Sequence, residues 1–525
     1  MRRIFKFSKW VRARLHRVLT QPLVPVSPCH LVPSRATLAS RVTLPSYILK
    51  LFKWVGARLR RVLHYPLSPC HLAHVSPKLV CPLLLLILFF TAPVLASPPN
   101  VIVILTDDLG ATDLGCTGSK FYETPHIDQL AKDGVQFTQA YSSCTVCSPS
   151  RAALLTGKYP ARLHLTDWIP GYPAPDNAQV KIPDWQKFIS TDTTTLPQQF
   201  KSAGYSTALI GKWHLSPNAK ESENYDPQKY GFDINLGGNH LGQPGSFFSP
   251  YKILNLQDGP TNEFLTDREG DEAVKFIEQN QTKPFFLYLA HYAVHQPIAG
   301  KADVIKKFEQ KDKTNLKQNN ATYAALISSV DDSVGKIRET LKRLKLSDNT
   351  IIVFTSDNGG LSKVTDNSPH RDGKGSAYEG GVRVPFIIYW PKATANQSAQ
   401  STPVQSIDIY PSLIEMAGIT SQPSIIDGVS LTPLLKSAAI LPTRDLFWHY
   451  PHYHRVGGAK PYSAIRSGDY RLIHFYEDNR DELYNLAKDP SESQDISNSE
   501  VELKISLKKK LDAWLQSTSA QLPVN

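Results

Sequence analysis

Twice in this chain a β-branched apolar run stops at oxygen-bearing side chains. Val101-Ile-Val-Ile-Leu105 leads into Thr106-Asp107-Asp108-Leu109-Gly110, and Thr350-Ile-Ile-Val-Phe-Thr355 leads into Ser356-Asp357-Asn358-Gly359-Gly360. A strand without polar alternation has to be covered on both faces, as the central strands of an α/β sheet are. Ligands of such sheets gather at the carboxyl ends of the strands, so a fold that hides these runs brings their acids together. Adjacent acids on a turn are more often caps or solvated surface. Directly after a buried strand they favour a metal. Asp107, Asp108, Asp357 and Asn358 would form a cage for Ca²⁺ or Mg²⁺, and the many carboxylates without nitrogen or sulfur ligands among them favour calcium.

The rest of the pattern alternates helix and strand. Helices are predicted at about 126–133, 196–203, 267–279, 322–346 and 408–417, and strands near 135–137 and at 205–210, 284–290 and 386–390. Strand 205–210 delivers Lys212 and His214, which point the same way if the chain stays extended. Strand 284–290 is followed by His291 and His295. Either could satisfy loop backbone, but His295 before the Gln296-Pro297 turn is placed to face a site. Residues 215–265 show little periodicity and read as a binding wall. The glycine-rich segment 371–385 offers Lys374 as an anion clamp. Beyond it, shorter strands at 444–450, 462–466 and 470–475 and an amphipathic helix at 501–516 indicate a smaller subdomain. The expected division is 98–430 for the main domain and 431–525 for the second.

One cysteine stands out. Cys147-Ser-Pro-Ser-Arg151 sits on a polar turn ahead of the apolar run Ala152-Ala-Leu-Leu155, with Pro149 suited to a first helical turn. Backbone N–H groups and Arg151 there favour an oxyanion. Cys144-Thr-Val-Cys147 is also a C-x-x-C, yet a zinc site needs more thiolates or a His pair, and only Cys116 joins these two after the leader.

The run C-S-P-S-R followed by L-L-T-G resembles the signature of type I sulfatases, of the alkaline phosphatase superfamily. The resemblance covers the chain from about Pro98 onward. It implies an α/β fold with a large mixed sheet between helices and a C-terminal four-stranded antiparallel subdomain. It implies that Cys147 is oxidised by a formylglycine-generating maturation enzyme to Cα-formylglycine, whose hydrate supplies the nucleophilic oxygen. Metal ligands are then implied at Asp107, Asp108, Asp357, Asn358 and residue 147, and sulfate-binding and catalytic roles at Arg151, Lys212, His214, His295 and Lys374. In the resulting mechanism Arg151, Lys212 and Lys374 hold the sulfuryl oxygens, His295 protonates the departing alcohol with help from Lys374, and His214 takes the proton that releases sulfate. The rivals are a formylglycine-dependent phosphodiesterase or phosphonate monoester hydrolase, and a sulfated-glycan binder without catalysis.

The leader explains the charge. Of 58 basic residues, 15 lie in residues 1–100, which contain no acid, so the remaining 43 basic and 47 acidic residues leave the body at −4. That argues against a nucleic-acid partner. Phe7–Leu19 recurs as Phe52–Leu63, each copy followed by a Ser-Pro-Cys-His-Leu tract. Residues 1–77 are expected to be disordered or absent from the mature protein. Residues 78–97, with an apolar core at Leu83–Phe90 and Val94-Leu-Ala96, match a secretory signal, so the mature chain is expected in an exported compartment, on a membrane only if the segment is uncleaved. Substrate is expected to be a sulfated carbohydrate in preference to a small aryl sulfate, with His449–Arg455 as a candidate contact. Asn280, Asn320 and Asn396 lie in glycosylation sequons.

Overall fold

A computed structural model describes residues 97–524 apart from 395–398, 421, 422, 424 and 437–440. The leader repeat, the signal-like segment and Asn396 therefore lie outside the described residues.

Eight strands form the main sheet: β1 (Asn100–Thr106), β2 (Val135–Phe137), β3 (Ser206–Gly211), β4 (Ile234–Leu236), β5 (Phe285–Ala290), β6 (Thr350–Ser356), β7 (Phe386–Tyr389) and β8 (Ala399–Gln400). Their order is β4-β3-β5-β1-β6-β7-β2-β8. The first five run parallel, and β7 alone runs against its neighbours β6 and β2, giving the mixed sheet. The lack of alternation in β1 has the cause expected of it. Ile102 and Ile104 enter one core with the helices Leu265–Gln279 and Ala321–Arg343, while Val101, Val103 and Leu105 enter another with the helices Cys147–Thr156 and Ile409–Met416.

Register lines up the strand ends. Leu105 faces both Ala290 of β5 and Thr355 of β6, and Gly211 of β3 faces the same Ala290. The residues after four adjacent parallel strands thus emerge at one level.

A second sheet is an antiparallel meander of β9 (Asp445–Tyr450), β10 (Tyr462–Ser467), β11 (Tyr470–Phe475) and β12 (Arg480–Asn485). Helix Val501–Ser517 lays Leu507, Leu511 and Leu515, one row at i, i+4 and i+8, onto Ile465, Leu472 and Leu483. The opposite face packs Trp448 and Tyr462 against Tyr141, Cys144 and Val146, just ahead of Cys147. The Trp448 indole donates to the Ser142 carbonyl at 2.9 Å. Segment 215–265 contributes only the short β4 to the sheet but buries Phe247, Tyr251 and Phe264.

His449–Arg455 is largely internal. His449 bonds Ser463, Tyr450 donates to Asp167, and His452 Nε2 meets the Thr166 hydroxyl at 2.8 Å. Of this run only His454 lines the cavity that holds Asp108 and Cys147. Burial lowers the His452 imidazole from 6.5 to about 3. The unfolded chain takes up this proton below about pH 6.5 and the folded chain does not, so the stabilisation is complete above that pH and is lost as pH falls toward 3. His452→Gln removes the dependence. The stability gap between wild type and variant in urea titrations is expected to narrow by about 2 kcal/mol from pH 7.5 to pH 5.0; a constant gap would contradict it.

Candidate active site

Each parallel strand end delivers one part. Asp107 and Asp108 follow β1, Lys212 and His214 follow β3, His291 and His295 follow β5, and Asp357 and Asn358 follow β6. Cys147 opens the helix Cys147–Thr156, and Arg151 lies one turn in.

The charges pair closely. Arg151 donates Nε to Asp357 at 2.8 Å and holds a second nitrogen 2.8 Å from the same oxygen, 3.7 Å from Asp107. Lys212 Nζ is 2.5 Å from Asp107 Oδ2. Lys374 Nζ lies 2.8 and 2.9 Å from the two Asp108 oxygens and 3.5 Å from Cys147 Sγ. Burial raises the carboxyls of Asp107 and Asp108, but Lys212, His295 and Arg151 around the first, and Lys374 and His295 around the second, outweigh it and hold both below the usual range. Asp357 is pushed up, by burial and then by Asp107. Burial pushes the Cys147 thiol up, Lys212 and Lys374 opposing it.

Two buried oxygens in this cluster, Asp107 Oδ1 and Asn358 Oδ1, have no hydrogen-bond partner. Orphan hard donors among carboxylates are what a divalent cation satisfies, so these residues fit one. Donor atoms of Asp107, Asp108, Cys147 and His295 lie within 4.8 Å of one another, so an imidazole nitrogen stands beside the oxygens. Asp357 and Asn358 adjoin them. Asp357 is claimed by Arg151 and accepts from the Asp108 N–H at 3.3 Å, while Asn358 Nδ2 donates to Asp108 at 2.8 Å.

The two histidines after β5 part company. His291 is buried between Glu269 at 2.6 Å and Ser333 at 3.1 Å, away from the cluster. His295 Nε2 is 3.6 Å from Asp108, with Nδ1 against the Gln296 carbonyl at 2.9 Å. His214 reaches the site by a turn and not by extended chain: its φ is +57° and its N–H donates to the Asn239 carbonyl. His214 Nε2 lies 2.5 Å from the Ile169 carbonyl, so Nε2 carries the proton and buried Nδ1, without a partner, is the free base. Burial, then Lys212, holds this imidazole well below its ordinary value.

These groups floor a cavity of about 330 Å³ in which Cys147, Asp108, His214, His295 and Lys374 are all exposed to the ligand space. Arg151 and Lys212 lie one layer below. The walls come from residues no charge pattern singled out: Trp168 and Tyr172 on one irregular segment, His240 to Gln243 on another. Their signal was an aromatic cluster in loops without periodicity.

The Lys374 segment is fixed from several sides. The Lys374 N–H donates to Gly360, and the Gly375 N–H donates to Thr145, two residues before the helix Cys147–Thr156. A side chain at Gly375 would lie 1.9 Å from His454 Nδ1, so the close approach needs glycine. From β11, fully buried Arg471 donates to Glu379 at 2.8 Å and to the Ala377 carbonyl at 2.7 Å, and the Glu379 N–H donates to Glu492 at 2.7 Å.

Gly242 is closely packed against the site as well. A Cβ there would come within 2.7 Å of His214 Cε1 and 2.8 Å of Nε2. Since the Ile169 carbonyl already holds the ring at Nε2, the edge that the new methyl would meet, Gly242→Ala is expected to displace His214 and open it to water. Proton NMR of the histidine Cε1–H groups should show this imidazole titrating nearer its ordinary range with the melting temperature within about 4 °C; an unmoved resonance would contradict the packing.

Comparison with known proteins now bears on this geometry. The family model described as Sulfatase matches residues 99–419, and one described as N-sulphoglucosamine sulphohydrolase, C-terminal, matches 372–520. A sulfatase of Formosa agariphila is 32% identical over 500 residues, covering 80% of this chain and 89% of its own. Human N-acetylgalactosamine-6-sulfatase is 33% identical over 386 residues, 67% of this chain and 68% of its own. The solved structure of Ps i-CgsB in complex with k-i-k-neocarrahexaose superposes with a TM-score of 0.66 at 32% identity, over 80% of this chain and 93% of that one. By the family model that covers most of its length and by these relatives, this chain belongs to the sulfatase family and is a sulfuric ester hydrolase.

Proposed function

We propose that this sulfatase removes sulfate from sulfated carbohydrates, using formylglycine made from Cys147 and one divalent cation, Ca²⁺. One observation carries the reading: Cys147 Sγ, Asp108 and Lys374 meet at the floor of a cavity whose walls are aromatic rings, imidazoles and amides, the groups that pack and hydrogen-bond a sugar. The carbohydrate ligand of the structurally similar Ps i-CgsB supports it.

When present, the cation and the hydrated aldehyde supply a Lewis acid and an oxygen nucleophile. Asp107 and Asp108 would hold the cation with the oxygen of residue 147, Asp357 and Asn358 closing in from β6. Lys374, facing the cavity, meets the sulfuryl oxygens. Arg151 and Lys212 act from below, fixing Asp357 and Asp107 and lending positive potential where charge grows. His295 is held on the neutral side, by burial and by Lys374, so a proton placed on Nε2 is given up readily to the departing alkoxide. His214 accepts a proton at Nδ1 in the release of sulfate.

The basic leader and its apolar segment support export. Among the described residues no helix is long and apolar enough to cross a membrane.

Expressed beside a competent maturation enzyme, the peptide bearing position 147 is expected to lose its sulfur, and the protein to hydrolyse a sulfated monosaccharide. Chelation should abolish turnover and Ca²⁺ restore it better than Mg²⁺, while Cys147→Ala costs at least about 10³-fold. Retention of sulfur with full activity would overturn the reading. Because Arg471 holds the Lys374 segment, Arg471→Met should lower kcat/KM about tenfold below the melting transition, yet change little in a Lys374→Ala background. Additive losses would make Arg471 a purely structural residue.

A further inference from the structure

Apart from Asp108, the cavity lining has no carboxylate; its other polar groups are neutral or cationic. On one side three rings meet edge to face. Trp168 and Tyr172 have centroids 4.8 Å apart, and Tyr172 and His454 are 5.5 Å apart. The next residue, Arg455, is exposed and holds its guanidinium carbon 5.8 Å from the Tyr172 centroid. Among the described residues it makes no ion pair or hydrogen bond. Most unpaired surface arginines are simply solvated. Here, however, the residues on both sides, His454 and Val456, line the cavity, and so does the ring under the guanidinium, which fixes this cation at the rim.

We propose that Arg455 is the recognition group for a second anionic substituent, a sulfate or a carboxylate, carried by the sugar adjoining the one that is desulfated. The preferred substrate is then a multiply charged oligosaccharide and not a singly sulfated sugar. This rests on the carbohydrate reading above. The geometry suits it: with one sulfuryl group at the floor against Lys374, its ring stands between the Trp168–Tyr172 wall and the His240–Gln243 wall, and the next sugar reaches the rim. A planar guanidinium takes either anion through paired N–H donors, and its contact with Tyr172 limits the freedom it must lose. Lysine at this position would keep the charge and lose the paired donors.

The test measures binding, so it does not depend on turnover. Calorimetry on the full chain carrying Cys147→Ala, with Ca²⁺, uses three probes: a monosulfated hexosamine, a disaccharide of that sugar with a second sulfate, and one with a uronate carboxylate. Adding Arg455→Ala is expected to weaken the disaccharides about fivefold while the monosaccharide shifts less than about twofold. Arg455→Lys should recover part of the loss, and the difference should shrink as salt rises from 20 to 300 mM. Loss with only one disaccharide identifies which anion is read. Equal weakening of all three probes, or of none, overturns the proposal. Failure of the carbohydrate reading looks different: the matured wild-type chain then hydrolyses an aryl sulfate but neither hydrolyses nor binds the monosulfated hexosamine, and absence of disaccharide binding as well overturns both.

Discussion

Three carboxylates and three cations share one small volume at the end of the main sheet, and most other features of the molecule serve to keep them there. Asp107, Asp108 and Asp357 face Arg151, Lys212 and Lys374 over the pairings described, and none of the three acids is more than 3% exposed. Charges so far from water are tolerable only when each has its counterpart in contact. Because the six cancel, a divalent cation entering this lattice brings two positive charges, and a sulfate monoester with an ionised nucleophile brings two negative ones. The site is thus neutral before the reactants arrive and again when they are all in place. Losing any one of the six leaves its partner buried and uncompensated, which makes mutation there a question of folding as well as of chemistry.

That lattice depends on strand register, and the smaller sheet is part of it. Lys374 is the one cation of the three that does not come from a strand end or a helix beside it. It sits on a turn-rich segment that the main sheet holds at Gly360 and β11 holds through Arg471. Trp448 holds the approach to Cys147 in the same way. Cys147 and the cation nearest to it are therefore both set by contacts from the meander, so the two sheets act on the site as one unit.

The sequence was most readable where burial and chemistry coincide. A run such as Val101–Leu105 has one stable environment, and Asp107 and Asp108 after it could be placed without coordinates; so could Cys147, Arg151 and Lys212. Contacts decided by folding were less legible. Nothing in His291 and His295 states that one is sealed against Glu269 and the other faces Asp108, and the left-handed turn at His214 replaces the extended chain that would have aligned it with Lys212. β12, written Arg-Asp-Glu-Leu-Tyr-Asn, carries too many charges to announce a strand; the family likeness implies a fourth strand without placing it, and it forms because β11 offers it an edge. The His449–Arg455 run shows the opposite error. Its polar and aromatic composition suggests a ligand face, yet the fold spends most of it on internal hydrogen bonds and leaves only its end at the cavity.

A division of labour follows from these differences. The groups proposed to hold the cation and the nucleophile come from strand ends and a helix N-terminus, where register and burial fix them, and Lys374 is added from the turn-rich segment. Groups placed to meet the rest of the substrate come from irregular segments at 168–172, 240–243 and 454–456, which share no register and can change without disturbing the sheet. The two sets touch at few points, and two of the closely packed glycines lie there: Gly242 against His214, and Gly375 against His454. At those two positions a change in the wall cannot be independent of the floor, because the wall's backbone is itself the surface against which the His214 ring or the Lys374 segment is packed.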